Sequence, residues 1–400
     1  MEMKVVHKAF KFRIYPSAGQ EKLLSVQFGH ARFVYNYFLA ARNAYYLEHK
    51  EDEKKILSYK ETSKLLTALK KTDDHAWLKE ADSQVLQSAL KNLDRAFANF
   101  YAGRAKYPRF KKKSKVQSCH FPQRFVVDPE AKSIRVPKIG QLKTVLHRDL
   151  QGRALGVTVS KTASGKYFAA ITCEVEIMVP ARKQAEIGVD PSLGSFAILS
   201  DGRVIENPRD RKKAGVRLGR LQRKMARQLR GSASREKTRL LFARQSERMA
   251  NQRKDFLHKL SHELAGAYGL IGIAKLSATD LLKNHKRDGG ADVGWGEFKR
   301  QLEYKAEWNG GQVTQVGMHE ALIIECPRCG LVNHELTLSN RERPCPGCGA
   351  VYEWDLHAAR LILEQARAGA AQRNAGGEYV SPVAALQLPA NLYETGSLLH

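Results

Sequence analysis

The sequence predicts a multidomain α+β protein. Three observations carry that expectation: strand-like segments flank a long helical stretch in the first half, apolar strands return after residue 185, and two Cys-x-x-Cys pairs lie near the end. Four hundred residues exceed one ordinary core and suit two or three domains.

Lys8 to Tyr15 alternates, with Phe10, Phe12 and Ile14 on one face and Lys11, Arg13 and Tyr15 on the other, and Pro16 ends the strand. From Gln20 to about Phe100 the apolar spacing becomes three and four, through Leu23, Leu24, Phe28, Phe33 and Phe38 and later Leu86, Leu90, Leu93 and Phe97. The polar Lys50 to Lys55 segment interrupts this helical insertion. Tyr107-Pro-Arg-Phe-Lys-Lys-Lys113 reads as a basic loop. Strands follow at Ser133 to Pro137, Leu155 to Lys161 and Tyr167 to Ile177, the last two joined by the Ala163-Ser-Gly165 turn. The first and last of these regions predict one β-barrel.

Pro180 to Gln184 is a polar linker. Ile187-Gly-Val-Asp190 is an apolar strand ending in a carboxylate, and Phe196 to Ser200 a second strand turned at Asp201-Gly202. Arg209 to His262 is helical and basic, with an apolar stripe at Leu218, Leu221, Met225 and Leu229 and a break at Gly231-Ser232. Leu270 to Ala274 is a buried strand, Trp295 to Trp308 an amphipathic helix and Gly311 to Val316 another strand. The Ala- and Gly-rich tail after Gly369 is expected to be loosely ordered.

Sixty-seven Lys plus Arg against 41 Asp plus Glu leave a net charge of +26, which calls for a polyanionic partner. No apolar run reaches the length of a spanning helix and no lipidation signal stands at either end, so nucleic acid is favoured over membrane. Met1 to Arg13 lacks a signal-peptide core, and the cysteines suit a reducing compartment, which makes the cytoplasm the expected location. Cys119 and Cys173, isolated in apolar surroundings, read as buried structural thiols.

Cys326-Pro-Arg-Cys329-Gly330 and Cys345-Pro-Gly-Cys348-Gly349 are two knuckles with 15 residues between them, the spacing of a tetrahedral four-thiolate zinc site. Each pair lets two sulfurs face one ion, and each following glycine permits the tight turn. Four protein ligands close the site, so the zinc is expected to hold the fold and perform no chemistry. Metal-dependent phosphodiester cleavage would need further carboxylates converging from separate elements, and Asp190, at the end of its strand, is the natural first. Taken alone it also fits an ordinary turn aspartate before Pro191.

At this point the chain resembles the TnpB family of transposon-encoded RNA-guided nucleases, relatives of the type V CRISPR effectors. The carriers are Lys8-Ala-Phe-Lys-Phe-Arg-Ile-Tyr-Pro16, Ala31-Arg-Phe-Val-Tyr-Asn36, Gln87-Ser-Ala-Leu-Lys-Asn-Leu93, the Tyr107 to Lys113 loop, Ile187-Gly-Val-Asp190, Trp295-Gly-Glu-Phe298 with Gln301-Leu-Glu-Tyr-Lys305, both knuckles, and Asp355 before Ala358-Ala359. The resemblance covers nearly the whole chain. It implies a wedge-like β-barrel domain (1–19 and 120–182), a helical recognition insertion (20–119), a RuvC-like domain of RNase H fold (183–322, ending in 353–368), an embedded zinc ribbon (323–352) and a tail (369–400). It also implies a guide RNA and a double-stranded DNA target beside a short flanking motif, with base pairing reading sequence and the protein holding the backbone. Tyr107, Arg109, Lys111, Lys112 and Lys113, with Arg220, Arg223, Lys224 and Arg227 of the basic helix, are the expected nucleic-acid contacts.

Family members carry an Asp, Glu, Asp triad. Asp190 matches the first and Asp355 the third, but the second falls at Ala274, ahead of the family-like Leu281-Leu-Lys-Asn-His-Lys286, and a methyl group cannot ligate metal. Glu353-Trp354-Asp355 stands where Asp-Arg-Asp is usual, His357 replaces Asn, and Leu322-Ile-Ile-Glu325 replaces a Ser-rich stretch. Two readings follow: a guided DNA-binding protein that has lost cleavage and blocks transcription, or a nuclease in which Glu320 supplies the missing ligand. A third, from another class, is a zinc-ribbon DNA-binding accessory protein that needs no RNA. In the first, Asp190 and Asp355 retain at most a single magnesium site.

Overall fold

The computed structural model describes residues 2–52, 56–113, 116–192, 195–207, 211–275, 294–317, 326, 328–331, 344–351 and 353–375. They form two compact units, one of residues 3–178 with 213–249 and one of 179–212 with the chain from 250 onward.

In the first unit, β1 (Glu2–Tyr15) leads into α1 (Ala18–Glu48). The start of α1 is set by a capping box: Ser17 accepts from the Gln20 amide while the Gln20 side chain accepts from the Ser17 amide. Ser58 and Glu61 repeat the device at α2 (Tyr59–Leu69), and a short 3-10 helix (Asp73–Glu80) leads to α3 (Ser83–Tyr101). Asp82 caps α3 through the Gln84 amide at 2.9 Å and is held by Arg124 at 2.8 Å. Leu24, Phe28, Val34 and Phe38 of α1 are buried, as are Leu86, Leu90, Leu93 and Phe97 of α3. These are the apolar stripes that pack the two helices together.

Seven strands, β1 with β2 (Gln117–Phe121), β3 (Val126–Asp128), β4 (Ser133–Val136), β5 (Gly140–Val145), β6 (Arg153–Lys161) and β7 (Tyr167–Val179), make one sheet in the order β2-β6-β7-β1-β5-β4-β3. Its inner face is Phe12, Ile14, Phe121, Leu142, Val157, Ala169 and Ile171, all fully buried, together with Cys119 and Cys173. Burial pushes both thiols above the ordinary range, which keeps them protonated and inert.

The basic stretch divides as expected. α4 (Arg211–Arg227) and α5 (Ala233–Ala267) are separated at Gly231, whose φ of 88° is the left-handed value a side chain resists. Arg235 ties the arms together by donating to the Met225 and Gln228 carbonyls at 2.9 and 2.8 Å.

The second unit holds a five-stranded sheet, β8 (Glu186–Pro191), β9 (Ala197–Leu199), β10 (Val204–Ile205), β11 (Leu270–Ala274) and β12 (Gln312–Val316), ordered β10-β9-β8-β11-β12. The first three pair antiparallel, and β11 runs parallel to both β8 and β12, the topology of an RNase H-like domain. One face is covered by α5 and α6 (Trp295–Trp308): Leu257, Leu260, Leu264, Trp295, Phe298 and Leu302 close over Ile187, Val189, Ile271 and Ile273. The family-like Gln301 and Lys305 fasten these helices. Lys305 Nζ donates to the His258 carbonyl and to Ser261 Oγ, both at 2.7 Å, and Ser261 Oγ lies 3.1 Å from Gln301 Oε1.

On the other face lies α7 (Trp354–Ala375), which continues beyond Gly369, where the sequence suggested a loose tail. Alanine-rich segments are good helix formers, and Gly369 is sheltered by Thr314 of β12, 3.6 Å from where its Cβ would stand. No helix among the described residues is long and apolar enough to cross a membrane.

Candidate functional site

The parity of β8 and β11 places the three triad positions. Ile187 and Val189 face the α5–α6 core, so Gly188 and Asp190 face α7. Ile273 is the register partner of Val189, so Ala274 stands beside Asp190 at the carboxyl ends of parallel neighbours. α7 runs antiparallel to β8: Arg367 bonds Glu186 at 2.6 Å, and a Cβ at Gly188 would meet the Ala359 carbonyl at 2.0 Å. One turn earlier the same run carries Asp355 to the level of Asp190. Asp190 and Asp355 are both half-buried, whereas Ala274 is buried in an apolar cluster with Val316, Ile362 and Ala366. Glu320, Leu281 to Lys286 and Leu322 to Glu325 lie outside the described residues.

The four cysteines come together. Their sulfurs all lie within 4.8 Å of one another, with Cys326 to Cys348 at 3.7 Å and Cys329 to Cys345 at 3.6 Å. A tetrahedron with metal–sulfur bonds of about 2.3 Å has edges of about 3.8 Å, so the thiols fit a zinc ion. The knuckles are alike: Gly330 and Gly349 donate to the Cys326 and Cys345 carbonyls at 2.9 and 2.8 Å, with φ of 70° and 68°. The amides of Arg328 and Cys329 point at Cys326 Sγ, each at 3.4 Å, as a thiolate requires. Among the described residues this is the only cluster of three or more such ligand side chains.

The Tyr107 to Lys113 loop is fixed by residues that the sequence did not single out as its anchors. Asn36 bonds the backbone of Lys111 on both sides, at 2.8 and 3.0 Å, and Gln117 reaches the carbonyls of Lys112 and Lys113 at 3.1 and 3.0 Å. Asn36 closes the Ala31 to Asn36 motif, which was the available signal. Tyr107 donates to Asn43 at 2.6 Å and packs edge-on against Phe97 and Phe100. The Lys111 ammonium sits 3.9 Å from the centre of the Tyr35 ring, and burial lowers its pKa. Lys111 is therefore an anchor of the loop through its backbone and Tyr35, and it is exposed, as are Arg109, Lys112 and Lys113. On α4, Arg220, Arg223, Lys224 and Arg227 are likewise exposed, opposite the partly buried Leu218, Leu221 and Met225.

Fold and site together define a RuvC-like protein of RNase H topology with a four-cysteine element ahead of α7. A family model described as Probable transposase (OrfB_IS605) matches residues 170–285, and one of the Cas12f1-like TNB domain matches 295–362. A helix-turn-helix model (HTH_OrfB_IS605) matches 1–51, where the described residues are β1 and the single helix α1. A Streptomyces pristinaespiralis protein that carries the provisional name RNA-guided DNA endonuclease is 37% identical over 374 residues, 92% of each chain. InsQ of Escherichia coli K12, provisionally named likewise, is 33% identical over 373 residues, 89% of this chain and 91% of that one. The chain belongs to the TnpB family. The Cas12f1 chain in a cryo-EM structure of its complex with sgRNA and target DNA shares the fold, with a TM-score of 0.54 at 13% identity over 90% of this chain and 98% of that one.

Proposed function

We propose that this chain is an RNA-guided DNA-binding protein whose RuvC centre has lost cleavage and which blocks transcription at guide-matched DNA. The observation that carries the proposal is Ala274. It stands beside Asp190 at the carboxyl end of β11, on the face covered by α7, where the family's glutamate would sit, and it is buried in an apolar cluster with Val316, Ile362 and Ala366. Asp190 and Asp355 would hold one magnesium ion between them, and a single ion leaves either the attacking or the leaving oxygen unassisted. Zinc on Cys326, Cys329, Cys345 and Cys348 is structural in this proposal. Residues 1–19 with 120–182 act as the wedge, 20–119 as the recognition insertion, 183–322 with 353–368 as the RuvC-like domain, 323–352 as the ribbon and 369–400 as the tail. Exposed Arg109, Lys111, Lys112, Lys113, Arg220, Arg223, Lys224 and Arg227, with Tyr107 beside them in the loop, hold guide and target, the cations by their phosphates, and a short flanking motif licenses the target.

The test is magnesium-dependent cleavage of a matched plasmid by the copurified protein and RNA, with binding followed in parallel for the parent, Ala274→Glu and Glu320→Ala. Tight guided binding without cutting is expected, and cutting regained by Ala274→Glu would strengthen the assignment. Cutting by the parent that vanishes in Glu320→Ala would overturn it in favour of a relocated ligand. Binding without a discrete copurified RNA would point to an RNA-independent accessory protein.

A further inference from the structure

The six cysteines divide into two kinds. Cys119 and Cys173 are buried on the inner face of the seven-stranded sheet, where burial keeps both thiols protonated. They stand on β2 and β7 with β6 between, so two strand spacings of about 4.8 Å hold them too far apart to pair. The cysteines of the two knuckles differ on both counts. The second of each knuckle reaches solvent, Cys329 fully and Cys348 in part, while Cys326 and Cys345 are buried.

The short sulfur contacts run across the knuckles. Cys329 faces Cys345 at 3.6 Å and Cys348 faces Cys326 at 3.7 Å, so each contact joins a solvent-reaching sulfur to a buried one of the other knuckle. Gly347 permits this closeness: a Cβ there would meet Leu331 Cδ2 at 3.0 Å and Cys329 Sγ at 3.5 Å. A disulfide holds its sulfurs at about 2.05 Å, so each contact has to shorten by about 1.6 Å, which is within reach of side-chain rotation.

We propose that this cluster is also a site of reversible oxidation, at which peroxide converts the four thiolates into the disulfides Cys329–Cys345 and Cys326–Cys348 and releases the zinc. The exposed Cys329 thiolate attacks the peroxide O–O bond, becoming a sulfenic acid and expelling hydroxide. Cys345 then displaces a second hydroxide from that sulfur, so two thiolates have given two electrons to one peroxide. Cys326 and Cys348 alone are half of a closed tetrahedral set and hold the ion too weakly to keep it. A second peroxide joins that pair by the same two steps. A dithiol reductant reverses both by exchange, itself becoming a disulfide, and returns four thiolates to the metal. The start of α7 is coupled to the change, because the Cys345 amide donates to the Ala350 carbonyl at 2.8 Å and Asp355 follows five residues later.

The inference rests on the zinc assignment, and the test separates the two. The full chain, purified reduced, is titrated with hydrogen peroxide. Released zinc is read with a chromogenic chelator, sulfenic acid is trapped with dimedone, and disulfides are mapped by fragmentation of non-reduced peptides. One zinc per chain should be released with the loss of four thiols, and dimedone should mark Cys329 first. The two cross-knuckle linkages should appear while Cys119 and Cys173 stay reduced, and dithiothreitol followed by zinc should restore the bound metal. A reduced chain that holds no zinc would overturn the zinc assignment together with the proposal. Zinc retained under peroxide that oxidises free cysteine would overturn the proposal alone, as would linkage within each Cys-x-x-Cys pair. Release accompanied by sulfinic acids, which dithiothreitol does not reverse, would overturn it as well.

Discussion

Replacing Gly188 with alanine should cost this chain about 3 kcal/mol and pull α7 away from β8. The added Cβ would stand 2.0 Å from the Ala359 carbonyl oxygen and 3.0 Å from the Leu363 amide, both backbone atoms that no rotamer change can move aside. Ordinary contact begins at 3.4 Å, so α7 would have to withdraw by about 1.4 Å. Ala359, Ile362 and Ala366 are fully buried beneath it, and a gap of about 1 Å already forfeits up to half of each dispersion well. The sum lies at the upper end of overpacking penalties, about 3 kcal/mol. Urea unfolding followed by tryptophan fluorescence would measure it, because Trp295 reports on the same unit. Gly296→Ala is the control: nothing lies within 4 Å of its Cβ, and it sits in a helix, so it should be neutral or stabilising by up to about 1 kcal/mol. A Gly188→Ala protein that unfolds with the parent would refute the close seating of α7, and with it the placement of Asp355 at the level of Asp190.

Two further outcomes are expected. The reduced chain should carry one zinc ion, lost in Cys345→Ser. Because the Cys345 amide donates to the Ala350 carbonyl at 2.8 Å, and Asp355 follows five residues later, losing the metal should speed amide exchange in the first turn of α7 about tenfold and leave the seven-stranded sheet unchanged; equal exchange in both proteins would contradict this coupling. Hydrogen bonds from Arg300, at 2.8 and 2.7 Å, and from Gln301 hold the Glu297 carboxyl at about 2. A carboxylate depressed in the folded state stabilises fully above its unfolded value of about 4.3 and loses that contribution as pH falls through the folded value. Glu297→Gln should therefore be less stable than the parent near neutrality, by no more than about 1 kcal/mol for so exposed a pair, and the difference should close as the solution is acidified from about pH 5 to pH 2. A difference that widened on acidification would show that the ion pair is not its source.

What was legible in the sequence follows the range of the interactions involved. β11 and α6 were bounded correctly because each is signalled by its own residues: an unbroken apolar run in one, and Trp295, Phe298 and Leu302 at helical spacing in the other. β2 and β5 were not visible. Gln117–Phe121 and Gly140–Val145 are half polar, and they are strands because Cys119 and Phe121 meet β6, and Leu142 and Thr144 meet β4 and β1. Lys111 shows the same limit among the site residues. In sequence it is one of four cations in a loop, and only the fold brings Tyr35 beneath it, while all four stay exposed.

The four-cysteine site and the proposed carboxylate site differ for a related reason. Each zinc knuckle is a local turn, so ligand spacing alone specifies half the tetrahedron, and a second copy specifies the rest. The proposed carboxylate centre draws on β8, β11 and α7, with its three positions more than 80 residues apart in the chain, and no spacing rule connects them. Ala274 is unremarkable to any local test, since a small apolar residue suits a buried strand end in an apolar cluster with Val316, Ile362 and Ala366. It acquires meaning only when parallel pairing sets it beside Asp190 and the antiparallel run of α7 brings Asp355 to the same level. In the proposed function, the substitution that removes a metal ligand is thus one that packing accepts, and for that reason the fold can persist around a centre that has lost cleavage.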